Sequence, residues 1–337
     1  MKTKKLSGNS LLLVITIALF FVMYLGGCLL YSAKGFTHFQ TFLNLFITNA
    51  GLICVACGMT CVMLTGGIDI SVGSLIALDC MLLAYGMGTL HLPALVMVPL
   101  VLLFGVLFGL MQGYFVGFLG IQPFIVTMAG LYFCRGLTAC ISSDQLPISD
   151  ATFAGWANAK IEFPFGSYTN AKGKLMIPFV RVTVLVALLV LVAVFIMLRY
   201  TKFGRSLYAV GGSEQSARMM GLNVQKTKLL AYTLSSLLSS IGGILYAMNT
   251  MQASVQQATG FEMDAIASSV IGGTLLTGGV GNVAGSMFGV LINGTISTLI
   301  KTNGKLLSSW ANIATAALLC FFIILQAVFA AVKAKKN

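Results

Sequence analysis

The stretch FLNLFITNAGLICVACGMTCVMLTGGIDISVGSLIALDCMLLAYGMG, residues 42–88, indicates the fold class of this chain. Its only charged side chains are Asp69 and Asp79, and two apolar runs meet in it at Gly66-Gly67. About 20 apolar residues in a helix are enough to cross the hydrocarbon core of a bilayer. The stretch therefore predicts two membrane helices joined by a glycine break, which must be buried in protein or line a wet cavity.

The rest of the chain continues this pattern. Of its 337 residues 58% are hydrophobic and only 8% are charged, and the mean hydropathy is +0.96. A soluble domain carries roughly 25% charged residues. We therefore expect an all-α polytopic membrane protein with one transmembrane domain over residues 1–337, and a first helix that is retained rather than cleaved. The predicted segments are 11–31, 42–65, 68–88, 93–118, 122–141, 179–198, 228–250, 262–280, 282–300 and 308–332.

The basic residues carry an orientation signal. Lys and Arg number 20 against 8 Asp and Glu, which gives a net charge of +12, and they lie in the short polar segments between apolar runs. That placement argues against nucleic acid as a partner and for positive-inside topology. With a cytoplasmic N-terminus, 12 of the 20 fall inside, 7 fall outside and Arg135 lies within a segment. We therefore expect both termini in the cytoplasm, an external loop at 142–178 and a cytoplasmic loop at 199–228.

The cytoplasmic loop contains a short helix signal. Ser213 suits an N-cap, Glu214 suits the first turn of a helix, and Gly221 suits its end. The segments 262–280 and 282–300 meet at a second glycine break, Gly278-Gly279, so some segments could be half-helices. The two breaks and the Gly-Ser pairs that follow them align at a constant offset of 212 residues, which either an ancient duplication or chance would explain.

Charged residues inside membrane segments are functional candidates because they are costly there. Asp69 is predicted to be an N-cap near the cytoplasmic face, in preference to a functional group. Arg135 could pair with Asp79 or Asp144. Two acidic residues, Glu262 and Asp264, open the eighth segment, where they suit either a helix N-terminus or a gate.

Uncharged polar and glycine residues form a second set of candidates. Five polar residues could line a pore for a neutral hydroxylated solute, or could equally serve helix packing: Asn49, Gln122, Thr127, Asn249 and Asn293. The glycines at the breaks are candidate gating positions: Gly66, Gly67, Gly272, Gly273, Gly278 and Gly279.

No metal or nucleotide site is predicted. The spacing of Cys54, Cys57 and Cys61 would suit a metal, but no His, Asp or Glu lies near them, and free cysteine behaves as a small apolar residue. The chain has no G-x-x-x-x-G-K-[ST] motif to hold ATP phosphates. We therefore expect a protein that is not an enzyme.

Several stretches together resemble a known family, over about residues 40–330. They are Gly66-Gly67-Ile68-Asp69-Ile70-Ser71-Val72-Gly73-Ser74, Phe203-Gly204-Arg205, Tyr208-Ala209-Val210-Gly211-Gly212, Ala217 to Val224, Glu262 to Ala267, Ile271-Gly272-Gly273-Thr274 and Gly278-Gly279-Val280-Gly281. In order and spacing they are similar to the permease subunits of ribose-type sugar importers of the ATP-binding-cassette class. Within that class, Glu262 to Gly281 and Leu307-Ser308-Ser309-Trp310 look most like the galactofuranose-type permease.

The resemblance implies a bacterial inner-membrane importer of a monosaccharide. Its expected partners are a second permease subunit (identical or not), membrane lipid, an external sugar-binding protein and two cytoplasmic ATPases that bind ATP and Mg²⁺. The resemblance also places a loop that docks on the ATPase, with Phe203, Gly204, Arg205, Gly211, Gly212, Glu214, Ala217 and Gly221. Where the family often has E-A-A, this chain has Glu214-Gln215-Ser216-Ala217, which leaves the partner's identity open.

The main alternative is a secondary transporter driven by an ion gradient. Such a carrier would show coupling residues across the membrane and would need no ATPase-docking loop. The two histidines, His38 and His91, fall in predicted external loops, which argues against proton coupling. A channel or a membrane enzyme is less well supported, because no His/Asp/Glu cluster marks a catalytic centre.

Overall fold

A computed structural model describes residues 8–169, 175–307 and 309–334. In this part of the chain the fold is almost entirely helical, as predicted. The helices are α1 Gly8–Leu30, α2 Phe39–Leu64, α3 Val72–Gly88, α4 Ala94–Gly117, α5 Pro123–Ile141, α6 Ala151–Asn158, α7 Val182–Tyr200, α8 Lys202–Gly212, α9 Glu214–Met219, α10 Val224–Thr250, α11 Phe261–Ile271, α12 Val283–Asn303 and α13 Ser309–Ala334.

Six short strands pair in three antiparallel ladders, β1 with β6, β2 with β5 and β3 with β4. They are β1 Leu146–Pro147, β2 Lys160–Glu162, β3 Tyr168–Thr169, β4 Leu175–Met176, β5 Phe179–Arg181 and β6 Gln252–Ala253. Five of them, with α6, fall at or next to the predicted external loop, whose residues 170–174 lie outside the described residues.

Eight helices among the described residues are long and apolar enough to span a membrane: α1, α2, α4, α5, α7, α10, α12 and α13. Seven of them begin and end within four residues of the predicted segments, and α1, Gly8–Leu30, begins earlier within that same margin. The remaining two predicted segments, 68–88 and 262–280, are different. The first becomes α3, of 17 residues, and the second contains α11, of only 11.

The connections group at two ends of the bundle. We call one the strand end, where β1 pairs with β6 and Asn303 Nδ2 donates to Tyr31 Oη at 2.8 Å. The other is the α8–α9 end, where the Leu64 carbonyl accepts from Gly279 N–H at 2.9 Å. Thr16 Oγ1 in α1 and Gln326 Nε2 in α13 bond to carbonyls at the end of α11, so α1 starts and α13 ends near the α8–α9 end.

The helix α3 crosses only the half of the bundle next to the strand end. Leu64, at the end of α2, lies at the α8–α9 end, and residues 65–71 then rise into the protein. Asp69 Oδ2 accepts from Ser235 Oγ at 2.8 Å, and Ser235 lies about 16 Å along α10 from Val224 at 1.5 Å per residue. α3 therefore begins near the middle of the bundle.

The helix α11 crosses only the opposite half, so the prediction of one span over 262–280 was wrong. Its first turn places the Glu262 carboxylate against Gly73 in the first turn of α3. Its last residue, Ile271, accepts a hydrogen bond from Thr16 Oγ1 at 2.6 Å near the α8–α9 end. The apolar window failed because residues 272–282 form a loop, with φ +91° at Gly273, that is apolar because it packs inside the protein.

The centre of the bundle is α2 and α10, with α4 packed on α10 through small residues. The glycines on the contacting face of α4 recur every fourth residue: Gly105, Gly109, Gly113 and Gly117. A β-carbon at Gly109 would lie 2.7 Å from Thr233 Cα, and one at Gly113 would lie 2.8 Å from Leu229 Cα. Such glycines allow the backbones of membrane helices to approach closely.

Candidate functional site

The predicted short helix of the 199–228 loop is present as α9. The Ser213 hydroxyl accepts from Ser216 N–H at 3.2 Å, as the N-cap prediction required. Gly221 follows the helix with φ +78°, a conformation that suits glycine, and its N–H donates to Arg218 O at 2.9 Å. Thr201 caps the preceding helix α8 in the same way, by accepting from Gly204 N–H at 3.1 Å. The helix bounds are therefore set by local capping.

Glu214 holds α9 against α10. Its carboxylate accepts from Lys228 Nζ at 2.7 Å and from Arg218 Nη2 at 2.7 Å, one bond on each oxygen. The hydrogen bond from Lys228 is the main cause that lowers the pKa of the Glu214 carboxyl below its ordinary value. Sequence reasoning counted Lys228 only as an orientation charge, because no local pattern links residues 14 positions apart.

The two faces of α9 differ. Ala217 is fully buried and packs with Val210 and Val224, so it fixes the helix on its neighbours. Met219 is 82% exposed and Met220 is 68% exposed, at the tip of the loop. An exposed apolar pair beside charged residues is typical of a surface that contacts another protein.

The end of α8 touches both glycine breaks. A β-carbon at Gly211 would overlap the carbonyl oxygen of Leu64 and the backbone nitrogen of Gly279. One at Gly278 would lie 2.7 Å from the backbone nitrogen of Gly66. The breaks predicted at 66–67 and 278–279 therefore meet each other and the α8–α9 segment at one point.

A tyrosine adds a side-chain link at this point. Tyr208 Oη donates to Gly281 O at 3.0 Å, directly before α12. Of the other α8 candidates, Phe203 is half-buried against the core and Gly204 packs on the backbone of Leu198. Arg205 is exposed beside a cavity of about 380 Å³, between α7, α8 and the start of α12.

The first break has positive φ at Gly66 (+79°) and is followed by a buried polar network. Asp69 Oδ1 accepts from the backbone and hydroxyl of Ser71 at 3.1 and 2.6 Å, and Gln112 Nε2 donates to Ser71 Oγ at 2.9 Å. The N-cap of α3 is Ser71, so the prediction of Asp69 as an N-cap near a membrane face was wrong in position. The reason is that 66–71 runs extended to mid-depth.

The second break is followed by α12. Gly278 and Gly279 have φ of +86° and +73°, and Gly272 packs on the backbone of Gly285 in the first turn of α12. Glu262 and Asp264 lie in the first turn of α11, where a helix N-terminus was predicted. Both breaks thus precede a helix that runs toward the strand end, which is the arrangement the offset of 212 residues suggested.

Arg135 does not pair with either predicted partner. Its guanidinium donates to the carbonyl oxygens of Val255 and Gln257, in the loop that leads down to α11. Asp79 is fully buried in α3 beside Gly243 of α10. The structure therefore joins Arg135 to backbone, which no pattern of side chains in the sequence could show.

The five polar pore candidates separate by position. Asn293 donates to Ser268 Oγ at 2.9 Å, Asn249 donates to Ile47 O at 2.8 Å, and Thr127 donates to Pro123 O at 3.0 Å. Those bonds favour the packing account for all three. Gln122 is exposed at the α8–α9 end, just before α5. Asn49 alone lines an open cavity, of about 470 Å³, between α2 and α12 near the strand end.

The three cysteines of α2, Cys54, Cys57 and Cys61, lie fully buried among apolar core side chains. They pack as small apolar residues do.

Comparison with known proteins follows the same direction. The sequence model of the family described as branched-chain amino acid transport system permease component matches residues 41–328. The inner membrane ABC transporter permease protein YjfF of Escherichia coli K12 is 40% identical over 318 residues, 94% of this chain and 92% of that protein. No solved structure matches the chain.

Two further relatives carry substrate names. The fructose import permease protein FruG of Bifidobacterium longum is 35% identical over 87% of this chain and 84% of its own length. The ribose import permease protein RbsC of Escherichia coli K12 is 36% identical over 79% of this chain and 80% of its own length. The predicted resemblance to ribose-type permeases is confirmed. The chain therefore belongs to the family of transport-system permease components, the multi-pass membrane subunits of ATP-binding-cassette transporters whose ATPase is a separate chain.

Proposed function

We propose that this permease imports a monosaccharide across a bacterial inner membrane by alternating access. It works as one of two permease subunits, with cytoplasmic ATPases that bind ATP and Mg²⁺ and with an external sugar-binding protein. The names of the ribose and fructose import relatives support the choice of a sugar. A galactofuranose-type substrate stays a prediction.

One observation carries the mechanism: α8 touches both glycine breaks at once. A push on α9 reaches Gly211 through the buried contact of Ala217 with Val210. From Gly211 it reaches the backbone of Leu64, at the end of α2, and of Gly279, before α12. Packed helices respond to such a push by shifting as rigid bodies between discrete arrangements. ATP-driven closure of the ATPase pair would thereby move the membrane helices.

The docking surface is the exposed side of α9, with Met219, Met220 and Arg218. This places the α8–α9 end in the cytoplasm, in agreement with its basic residues. Both termini then lie in the cytoplasm and the strand end lies outside, where a binding protein would deliver the sugar. Because Glu214 is engaged by Lys228, we assign it to holding α9 in place for docking.

The test of the energy source uses the intact importer in cells. Sugar uptake should collapse when the partner ATPase is inactivated, and it should persist when the proton gradient is dissipated while ATP is maintained. The reverse pattern would support the secondary carrier. Because the two treatments act on different energy stores, one pair of measurements separates the two functions.

Docking is tested by substitution in the loop. Glu214→Lys would repel Lys228, and a bulky residue at Gly221 would be strained at its φ of +78°. Either change should allow ATP hydrolysis to continue without uptake. Transport that survives both changes would contradict the docking assignment.

Sidedness has its own test. A cysteine at the exposed Asp144 should react with an impermeant thiol reagent on intact cells, whereas a cysteine at the exposed Lys226 should react only after permeabilisation. The opposite result would invert the proposed orientation.

A further inference from the structure

The outer surface of the bundle is apolar almost everywhere along the membrane-spanning helices. On α4 Leu103 is 54% exposed, on α7 Leu189 is 70% exposed, and on α13 Ile324 is 64% exposed. Such faces suit contact with lipid.

One surface differs, the half of α2 and α12 next to the strand end. It forms a groove of about 470 Å³ lined by eight residues, none of them apolar apart from one glycine: Asn44, Thr48, Asn49, Gly294, Ser297, Thr298, Lys301 and Thr302. Asn44, Thr48 and Lys301 are exposed. Thr48 lies about 14 Å along α2 from Phe39, so the groove reaches below the headgroup layer.

Several polar groups in the groove have spare hydrogen-bonding capacity. Thr48 and Thr298 donate to carbonyls of their own helices, at 2.8 Å each, and their oxygens can still accept. Among the described residues no protein partner bonds Ser297 Oγ or Lys301 Nζ. Exposure of such groups to lipid, or cover by an apolar helix, would leave them unpaired at a cost of about 1–3 kcal/mol each. The occupant must therefore itself be polar.

The chemistry of the lining limits what that occupant can be. Amide and hydroxyl groups exchange hydrogen bonds with hydroxyls of a solute, and the volume lies within the range of small-molecule sites. The groove has no apolar wall for a branched side chain and no carboxylate for an ammonium group. Lys301 is its only charge, so cations are disfavoured there.

We propose that this groove is a solute-binding stretch of the translocation path, selective for neutral polyhydroxylated molecules of monosaccharide size over cations. The inference rests on the proposed import function and adds its site. The groove opens toward the strand end, where a binding protein would release its ligand. The lack of aromatic side chains for a sugar ring to stack on suits a stretch that binds briefly and lets go.

The test measures water access with charged thiol reagents. In the assembled importer, with Cys28, Cys140 and Cys320 replaced by Ser, cysteines are placed at Thr48 and Thr298. The matched control is Leu103→Cys, which is similarly exposed but on the apolar face of α4. The probes are membrane-impermeant methanethiosulfonates, one carrying a sulfonate and one carrying a trimethylammonium group.

We expect both groove cysteines to react at least tenfold faster than the Leu103 cysteine, and their modification to block uptake. The sulfonate reagent should react faster than the ammonium reagent at Thr298→Cys. Adding Lys301→Gln, one turn away, should reduce that ratio by about fivefold, since unit charges about 4 Å apart in water interact at that level. Modification after folding keeps misfolding out of the comparison.

Two results would overturn the proposal. Groove cysteines that react as slowly as the Leu103 cysteine would show that lipid or protein covers the surface. Fast reaction without loss of uptake would place the groove off the path. Failure of the import function itself would look different, because uptake by the unmodified protein would then not depend on the ATPase, whatever the labelling pattern.

Discussion

A single methyl group at Gly211 should break the link between the cytoplasmic loop and the membrane helices. The β-carbon of Gly211→Ala would overlap backbone atoms of Leu64 and Gly279, which cannot rotate away as a side chain can. Overpacking of this kind costs about 1–3 kcal/mol. Gly212→Ala is the matched control, because a β-carbon there meets nothing within 4 Å. Both changes gain the same helix propensity, about 0.5–1 kcal/mol, so their difference isolates the clash.

The assay is ATP-driven uptake in proteoliposomes that contain the whole importer, with ATP hydrolysis measured in parallel. At about 1.4 kcal/mol per tenfold, the clash predicts uptake per ATP hydrolysed to fall roughly 5- to 150-fold in Gly211→Ala. Gly212→Ala should stay within about twofold of the parent by the same relation. Copurification with the ATPase shows whether the complex still assembles. Unchanged uptake in Gly211→Ala, or an equal loss in Gly212→Ala, would refute the proposed route of coupling.

Two further predictions concern the supports of this route. Lys228→Ala should loosen α9 and uncouple hydrolysis from uptake; in the parent the pair with Glu214 should hold at neutral pH and be lost only as pH falls through the lowered pKa of Glu214, so a coupling ratio that changes between pH 6 and 8 would contradict this role. Gly113→Ala would press on the backbone of Leu229 and should cost about 1–3 kcal/mol of stability, seen as a lower melting temperature in detergent, whereas Gly136→Ala, with open space around it, should not; equal melting temperatures would contradict the close packing of α4 on α10.

The sequence was informative where structure is decided locally. Ser213 and Gly221 predicted the bounds of α9 because capping needs only atoms within a few residues. The long apolar runs predicted eight spans because the bilayer fixes the length of a crossing helix. The glycine breaks were predicted for a similar reason, since positive φ at Gly66, Gly278 and Gly279 is a local backbone demand.

Depth and facing could not be predicted in this way. Hydropathy treats the buried loop 272–282 and a helix alike, because both are apolar, and so it merged α11 with that loop. Asn49 and Asn293 look equivalent in the sequence, yet one lines a groove and the other bonds to Ser268. Which face of a helix stays open depends on neighbours far away in the chain.

The two candidate sites are connected by the same pair of helices. Leu64, which α8 contacts, is the last residue of α2, and Thr48 on that helix lines the groove. Gly281, which Tyr208 contacts, directly precedes α12, and Thr298 on that helix lines the opposite wall. A displacement of α8 therefore needs no relay of side chains, because α2 and α12 each extend from the point of contact to the groove. A shift or tilt of either helix would change the width of the groove, which is the change that alternating access requires.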